Sequence, residues 1–266
     1  MRVTNILLGT SSWVFEDWKG VFYPARPTDE LAHYARRFDT VEIDASFYHT
    51  PAKRVVESWR RRVPDNFRFA AKVPRTITHD KLLLNCKDDL FEFLDSIRCL
   101  EEKLGPILFQ FPPYWSADEG RSALRDFLPL LPSGWKFAIE FRHRTWFEDE
   151  TANLLQDYNV AWTLSDFGSF WTVKQHPPIY TTADFAYIRW LGDRREPLEP
   201  FDEIKKERDY EDEQWALTIA SLPVDEVWGF FSNHWAGHSP ASVDAFKKRL
   251  GLPIKNEAPG GQQSLF

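Results

Sequence analysis

Short apolar runs recur along the whole chain, around residues 6–11, 40–46, 67–72, 106–111, 136–142, 160–166, 185–190 and 227–233, and helically spaced segments lie between most of them. Those segments cover 29–38, 51–62, 88–104, 118–131, 147–158, 209–222 and 239–250. Brief apolar runs read as strands, and apolar residues three and four positions apart read as helices. A strand, a helix and a further parallel strand make a right-handed unit, and eight such units close into a (β/α)8 barrel. The 266 residues suit one such barrel. The expectation is an α/β fold, a single TIM-type barrel over residues 1–250, followed by a flexible tail over 251–266. In the sixth unit, Phe167 to Tyr180 carries Pro177 and Pro178 and no 3.6-residue period, so its helix should be short or irregular.

Capping signals fit this division. Thr28-Asp29 offers a cap for the first helix, Thr50-Pro51 a cap followed by proline at the first helical position, and Ser116 to Glu119 a capping box. Connections from helix to strand are short, whereas those leaving strands one, three and seven are long: Ser11 to Pro27, Val73 to Asn85 and Leu191 to Arg208. Long connections in a compact domain are usually functional or disordered. All three leave the C-terminal strand ends, where barrel enzymes carry their active sites.

Composition removes several classes of function. A formal net charge of −7 argues against general binding to a nucleic-acid backbone, so a role there must be local or borrowed from a partner. Cys86 and Cys99 make neither a metal-ligand pattern nor a disulfide framework. The start, Met1 to Gly9, has too short an apolar run for a signal peptide, and no run approaches the ~18 residues of a membrane span. The expectation is a soluble cytoplasmic protein with no membrane partner.

Period-two reading of each strand gives the chemistry. In Lys136 to Arg142, Phe137, Ile139 and Phe141 share one face while Ala138, Glu140 and Arg142 share the other. The same rule turns Glu42, Asp44, Lys72, Gln110, Arg189 and Asn233 inwards; the face of Asp166 is left open. Three acids and three bases thus converge on one mouth. Unpaired buried charge is costly, so they should either plug the barrel as a salt-bridge network or face a wet pocket. In a pocket, Arg142 and Arg189 suit a phosphate or carboxylate. Lys72 can be an electrophile, an amine nucleophile or a counter-ion, Glu140 a general base, and Glu42, Asp44 and His79 join them as catalytic candidates. Gln110, Asn233, Tyr48, Trp13 and Trp146 are the further substrate-binding candidates, the aromatics as stacking platforms or as a lid that closes the barrel. A metal held among Glu42, Asp44, His79, Glu140, Asp166 and His234 is chemically feasible, though no compact ligand motif is present, and the sequence names no cofactor.

These residues carry a resemblance. Gly9 to Trp13 with Tyr23-Pro24, Val41 to Tyr48, Phe69 to Lys72 with His79, Gln110 to Pro113, Glu140 to Arg142 with Trp146, Tyr187 to Arg189 and Phe231 to Asn233 with Gly237 resemble the YecE-like family, a domain of unknown function. The likeness runs in order from about residue 6 to 250 and implies a TIM-type barrel; it implies no reaction. Two positions depart from the family pattern: Asp44 stands where Asn is usual, and Trp190-Leu-Gly replaces a segment containing His.

The tail ends in Gln262-Gln-Ser-Leu-Phe266, similar to the peptide by which bacterial repair and replication proteins dock on the sliding clamp. Gln262, Ser264, Leu265 and Phe266 fit that pattern and Gln263 departs from its usual Leu. Two readings follow: a barrel enzyme, a hydrolase, lyase or isomerase, acting on an anionic small molecule or nucleic-acid fragment, and a non-catalytic barrel whose charged mouth binds a ligand or protein.

Overall fold

The computed structural model describes residues 5–167 and 179–255. Strands alternate with helices: β1 (Asn5–Thr10), α1 (Glu30–Arg37), β2 (Thr40–Ile43), α2 (Lys53–Arg61), β3 (Arg68–Lys72), α3 (Lys87–Ile97), β4 (Leu104–Gln110), α4 (Ala117–Phe127), β5 (Phe137–Glu140), α5 (Asp149–Asp157), β6 (Val160–Trp162), β7 (Leu164–Asp166), β8 (Phe185–Trp190), α6 (Asp209–Ser221), β9 (Glu226–Phe231) and α7 (Ser239–Arg249). All seven expected helices are present. Asp29 caps α1 by accepting from the Ala32 amide at 3.1 Å, and Ser116 with Glu119 forms the expected capping box of α4. The second helix differs, starting at Lys53 after an Ala52 that makes no side-chain cap, so Thr50-Pro51 precedes it rather than opening it. Most of the irregular sixth connection lies outside the described residues.

The fold is α/β with every strand pairing parallel, in two sheets of order β1-β9-β8-β7 and β2-β3-β4-β5-β6. The expected sixth strand is therefore divided. Up to Trp162 it follows β5, and from Leu164 it follows β8. Thr163, at the change of partner, still donates its amide to the Ile139 carbonyl at 2.8 Å.

Buried hydroxyls span the gaps between the sheets. Thr182 Oγ1, just before β8, accepts from the Trp162 amide at 2.8 Å and donates to the Val160 carbonyl at 2.6 Å. On the other side, the Tyr34 hydroxyl accepts from the Thr10 amide of β1 at 2.9 Å and donates to the Thr40 carbonyl of β2 at 3.1 Å. Here the backbones approach so closely that a Cβ on Gly9 would stand 2.1 Å from the Thr40 oxygen.

Period two sorts the core into two. Phe69, Phe109, Phe137 and Ile139 pack in the larger cluster with helix residues such as Leu90, Phe93, Leu124 and Leu155. A smaller cluster, on the opposite face of the strands, takes Ala70, Leu108, Ala138 and Ala161 from one sheet and Phe185, Tyr187, Trp228 and Phe230 from the other. Mostly small side chains on one sheet face large rings on the other, so the two sheets share one packed layer. Among the described residues no helix is long and apolar enough to cross a membrane.

Candidate functional site

The inward column of each strand ends in a polar residue at the C-terminal side, and these ends meet. Arg189, on β8 and 3% exposed, reaches across the interior. Its Nη1 donates to Glu140 Oε2 at 2.7 Å and its Nη2 to Glu42 Oε1 at 2.7 Å. The phenol of Tyr187 donates to the other oxygen of Glu42 at 2.6 Å, and Arg142 Nε donates to the other oxygen of Glu140 at 2.7 Å. Both carboxylates are fully buried. One guanidinium thus serves two acids, but Glu140 has a second cation and Glu42 has only a phenol, which separates their titrations. Burial opposes ionisation of both. For Glu140 the charges of Arg142 and Arg189 outweigh it and hold the carboxyl at about 2. For Glu42 burial prevails over Arg189, with nearby Asp44 adding to it, and its pKa rises.

Above this layer lies a cavity of about 370 Å³, and Asp44, Lys72, His79, Gln110, Arg142 and Arg189 are among its walls. Lys72 Nζ donates to Asp44 Oδ1 at 3.0 Å and stands 4.0 Å from the centre of the Phe47 ring. Burial lowers the Lys72 pKa despite the Asp44 charge, while Lys72 and Arg189 overcome burial to lower that of Asp44. His79 sits on a π-helical turn, Thr76–Asp80, in the second long connection. Burial, then the charges of Lys72 and Arg142, push its pKa down to about 4, which leaves the ring neutral at pH 7. Leu82, Leu83 and Asn85 just beyond it all have positive φ, a strain that tends to collect at functional sites.

The structure brings Lys72, Asp44, His79, Gln110, Arg142, Arg189, Asn233 and Tyr48 to the cavity wall and holds Glu42 and Glu140 beneath it. Glu140 as a general base is corrected: both its oxygens accept from guanidinium groups, and a pKa of about 2 leaves little affinity for a proton. Trp13 and Trp146 as substrate platforms are corrected too. Trp13 packs edge-on to Trp59 and Phe69 in the core, while Trp146 is fully buried, stacks on Phe141 and donates to the Trp115 carbonyl at 2.7 Å. Asp166 faces outwards, accepting from the indole of Trp215 on α6 at 2.9 Å. Among the described residues no group of three or more His, Cys, Asp or Glu side chains is placed to hold a metal ion. The acids grouped for that role are turned to Arg189, Lys72 and Trp215 instead.

Asn233 is fixed by three donors to its Oδ1: the Trp18 indole at 3.2 Å and the Ser239 amide and hydroxyl at 3.0 and 2.7 Å. That leaves its buried Nδ2 without a hydrogen-bond partner among the described residues. Sequence reasoning missed Tyr187, Phe47 and Arg194. Tyr187 was legible, two residues before Arg189 on the same face. Arg194 lies exposed at the cavity in the third long connection, and no acid bridges it among the described residues, whereas its neighbour Arg195 is held by Asp193. Nothing local in the Asp193-Arg-Arg195 run says which arginine is paired. Tail residues Gln262, Ser264, Leu265 and Phe266 lie outside the described residues. The chain is still engaged just after α7, where Leu252 packs on the core and Lys255 pairs with Asp39.

The comparisons agree with this architecture. The sequence matches the family described as "Protein of unknown function DUF72" over residues 7–263. The YecE protein of Escherichia coli K12 is 33% identical over 152 residues, 56% of this chain and 54% of that one. The YunF protein of Bacillus subtilis 168 is 29% identical over 150 residues, 53% and 52% of the two chains. The chain thus spans about half the length of the curated relatives it matches. A DUF72 family protein from Thermotoga maritima superposes with a TM-score of 0.76 at 29% identity, covering 93% of this chain and 99% of that one. One from Enterococcus faecalis V583, at 22% identity, shows the same fold with a TM-score of 0.75 over 95% and 98% of the two chains. With the family matched across nearly the whole chain, and the motif residues of strands two, three, five and eight gathered at one mouth, this protein belongs to the DUF72 family.

Proposed function

We propose that the two sheets are the halves of one closed (β/α)8 barrel and that its mouth binds a small anionic substrate on which Lys72 and Asp44 move a proton. Closure is supported by the hydroxyl bridges of Tyr34 and Thr182 and by an interior cluster drawn from both sheets. The observation that carries the ligand class is unspent cationic donors. Arg189 is neutralised by two acids, but the terminal nitrogens of Arg142, whose guanidinium lies 4.6 Å from the centre of the Phe167 ring, and the whole guanidinium of Arg194 have no hydrogen-bond partner among the described residues, and both side chains border the cavity. Guanidinium forks hold phosphate or carboxylate through two parallel hydrogen bonds. In this reading Arg142 and Arg194 orient the anion, and the Asn233 amide adds a neutral donor. The ammonium of Lys72, made more acidic by burial, gives a proton to the substrate, and the amine that remains takes one back, with Asp44 as the counter-ion of the charged form. Neutral His79 supplies a hydrogen bond without adding charge.

Calorimetric titration with inorganic phosphate and with small dicarboxylates tests the binding. Arg142→Gln and Arg194→Gln should each weaken it by about tenfold or more. Equal binding by the double variant would overturn the reading. The non-catalytic alternative has its own support in the layer of Glu42, Arg189 and Glu140, where all four carboxylate oxygens accept a hydrogen bond from a side-chain donor. A turnover screen over phosphate and carboxylate compounds separates the two. Turnover lost in Lys72→Met while binding persists supports the enzyme, and binding without turnover throughout supports the alternative. Sliding-clamp docking by the tail is proposed on the sequence alone. Removing residues 262–266 should leave the melting temperature unchanged and abolish a clamp affinity on the order of micromolar.

A further inference from the structure

A second cavity of about 430 Å³ opens at the other end of the strands, within the size range of small-molecule pockets. Its construction differs from that of the mouth. Trp228, 3% exposed on β9, crosses the interior and lies against Gly105 of β4, where a Cβ would stand 2.7 Å from the indole ring. Only glycine leaves room for that ring. The Trp228 indole nitrogen is buried with no hydrogen-bond partner among the described residues. Trp135, partly buried just before β5, supplies a second aromatic wall.

The charges of this cavity are unequally matched. Lys136 is bridged to Glu226, and Glu101 to Arg60. Arg68, at the start of β3, is bridged to no acid among the described residues. It donates from Nη1 alone, to the carbonyls of Asp65 and Phe67 at 2.7 and 3.0 Å. Its other nitrogens and its full charge remain available beside two indole rings. Glu101 in the same wall holds φ 51 and ψ −126, a conformation L residues rarely adopt. Such strain persists only where the surroundings impose it, and it gathers at ligand sites.

From this juxtaposition we infer a second ligand site, separate from the mouth, for a small planar aromatic molecule bearing one carboxylate or similar anionic group. The ring lies against Trp135 and Trp228, as flat rings prefer offset or edge contacts with indole. The anionic group takes the free donors of Arg68, a fork suited to two carboxylate oxygens.

Indole-3-carboxylate and benzoate serve as probes, titrated by calorimetry into the full chain and checked by saturation-transfer NMR. Saturable one-to-one binding is expected. Arg68→Gln and Trp135→Ala should each weaken it by about tenfold or more, uncharged indole should bind the wild type as poorly as the acid binds Arg68→Gln, and Arg142→Gln should change nothing. Arg68 is partly exposed and bonded only to carbonyls, so its variant is expected to fold and decides the matter if Trp135→Ala does not. Absence of saturable binding, or unchanged binding in Arg68→Gln, overturns the site. Loss in Arg142→Gln with retention in Arg68→Gln does so too, by moving the probe to the mouth, and leaves the anion-binding reading of the mouth standing.

Discussion

Strand β3 carries Arg68 at its start and Lys72 at its end with Ala70 between, and β5 is entered through Lys136 and closed by Glu140 with Ala138 between. The same alternation puts charge at both ends of the interior, yet the ends differ. At the C-terminal end Arg189, Glu42 and Glu140 are buried, and every carboxylate oxygen of the two acids accepts a hydrogen bond from Arg189, Arg142 or Tyr187. At the N-terminal end the Lys136 and Glu226 side chains keep 39% and 20% of their exposure, and Arg68 is bridged to no acid among the described residues. Long connections cover one end and short ones leave the other open, so burial rather than residue type decides what each ion pair is worth. A buried pair broken on one side costs about 3–5 kcal/mol, whereas an exposed one contributes about 0–1 kcal/mol.

The largest expected effect is that of Glu140→Gln, which keeps shape and strips the charge that Arg189 and Arg142 face. Urea unfolding should show a loss of about 3–5 kcal/mol; a loss below about 1 kcal/mol would erase the difference between the ends. Acid titration sharpens the same point. The folded pKa of Glu140, about 2, lies below an unfolded value near 4.5, so its contribution is complete above the unfolded value and disappears as pH falls through the folded one. That window should hold roughly 3 kcal/mol of unfolding free energy, and Glu140→Gln should flatten it. Glu42, raised rather than lowered, runs the other way: its contribution is present below its unfolded pKa and is lost as pH rises through the folded one. Tyr187→Phe removes the donor to one Glu42 oxygen and leaves a buried acceptor unpaired, at a cost of about 1–3 kcal/mol by the same urea measurement. Lys136→Gln, at the open end, should cost no more than about 1 kcal/mol and lose that difference in high salt. A larger cost would mean that the exposed pair is as deeply coupled as the buried one.

The strands and helices were legible because each rests on local periodicity. The seven helices appear near their expected positions, and Glu42, Lys72, Glu140 and Arg189 turn to the face that alternation assigned. Misreadings came where a neighbour distant in the chain decides. Trp13 and Trp146 follow strand ends, as stacking platforms would, yet their rings meet Trp59, Phe69 and Phe141 and pack inwards. The division of 160–166 into β6 and β7 has no local signal, since it records a change of pairing partner at Thr163.

By itself the sequence determined which residues lie inwards, because a strand's side chains alternate whatever surrounds them. It also determined that acids and bases would share one end, and the family to which the chain belongs. Only the tertiary structure decided how those charges are shared. Arg189 reaches Glu42 and Glu140 across 147 and 49 residues of chain, which spends its charge and holds Glu140 beneath the cavity, while the terminal nitrogens of Arg142 and the guanidinium of Arg194 make no hydrogen bond among the described residues. Coulombic partnership and burial depend on distance in space, and no residue in the sequence carries that distance locally.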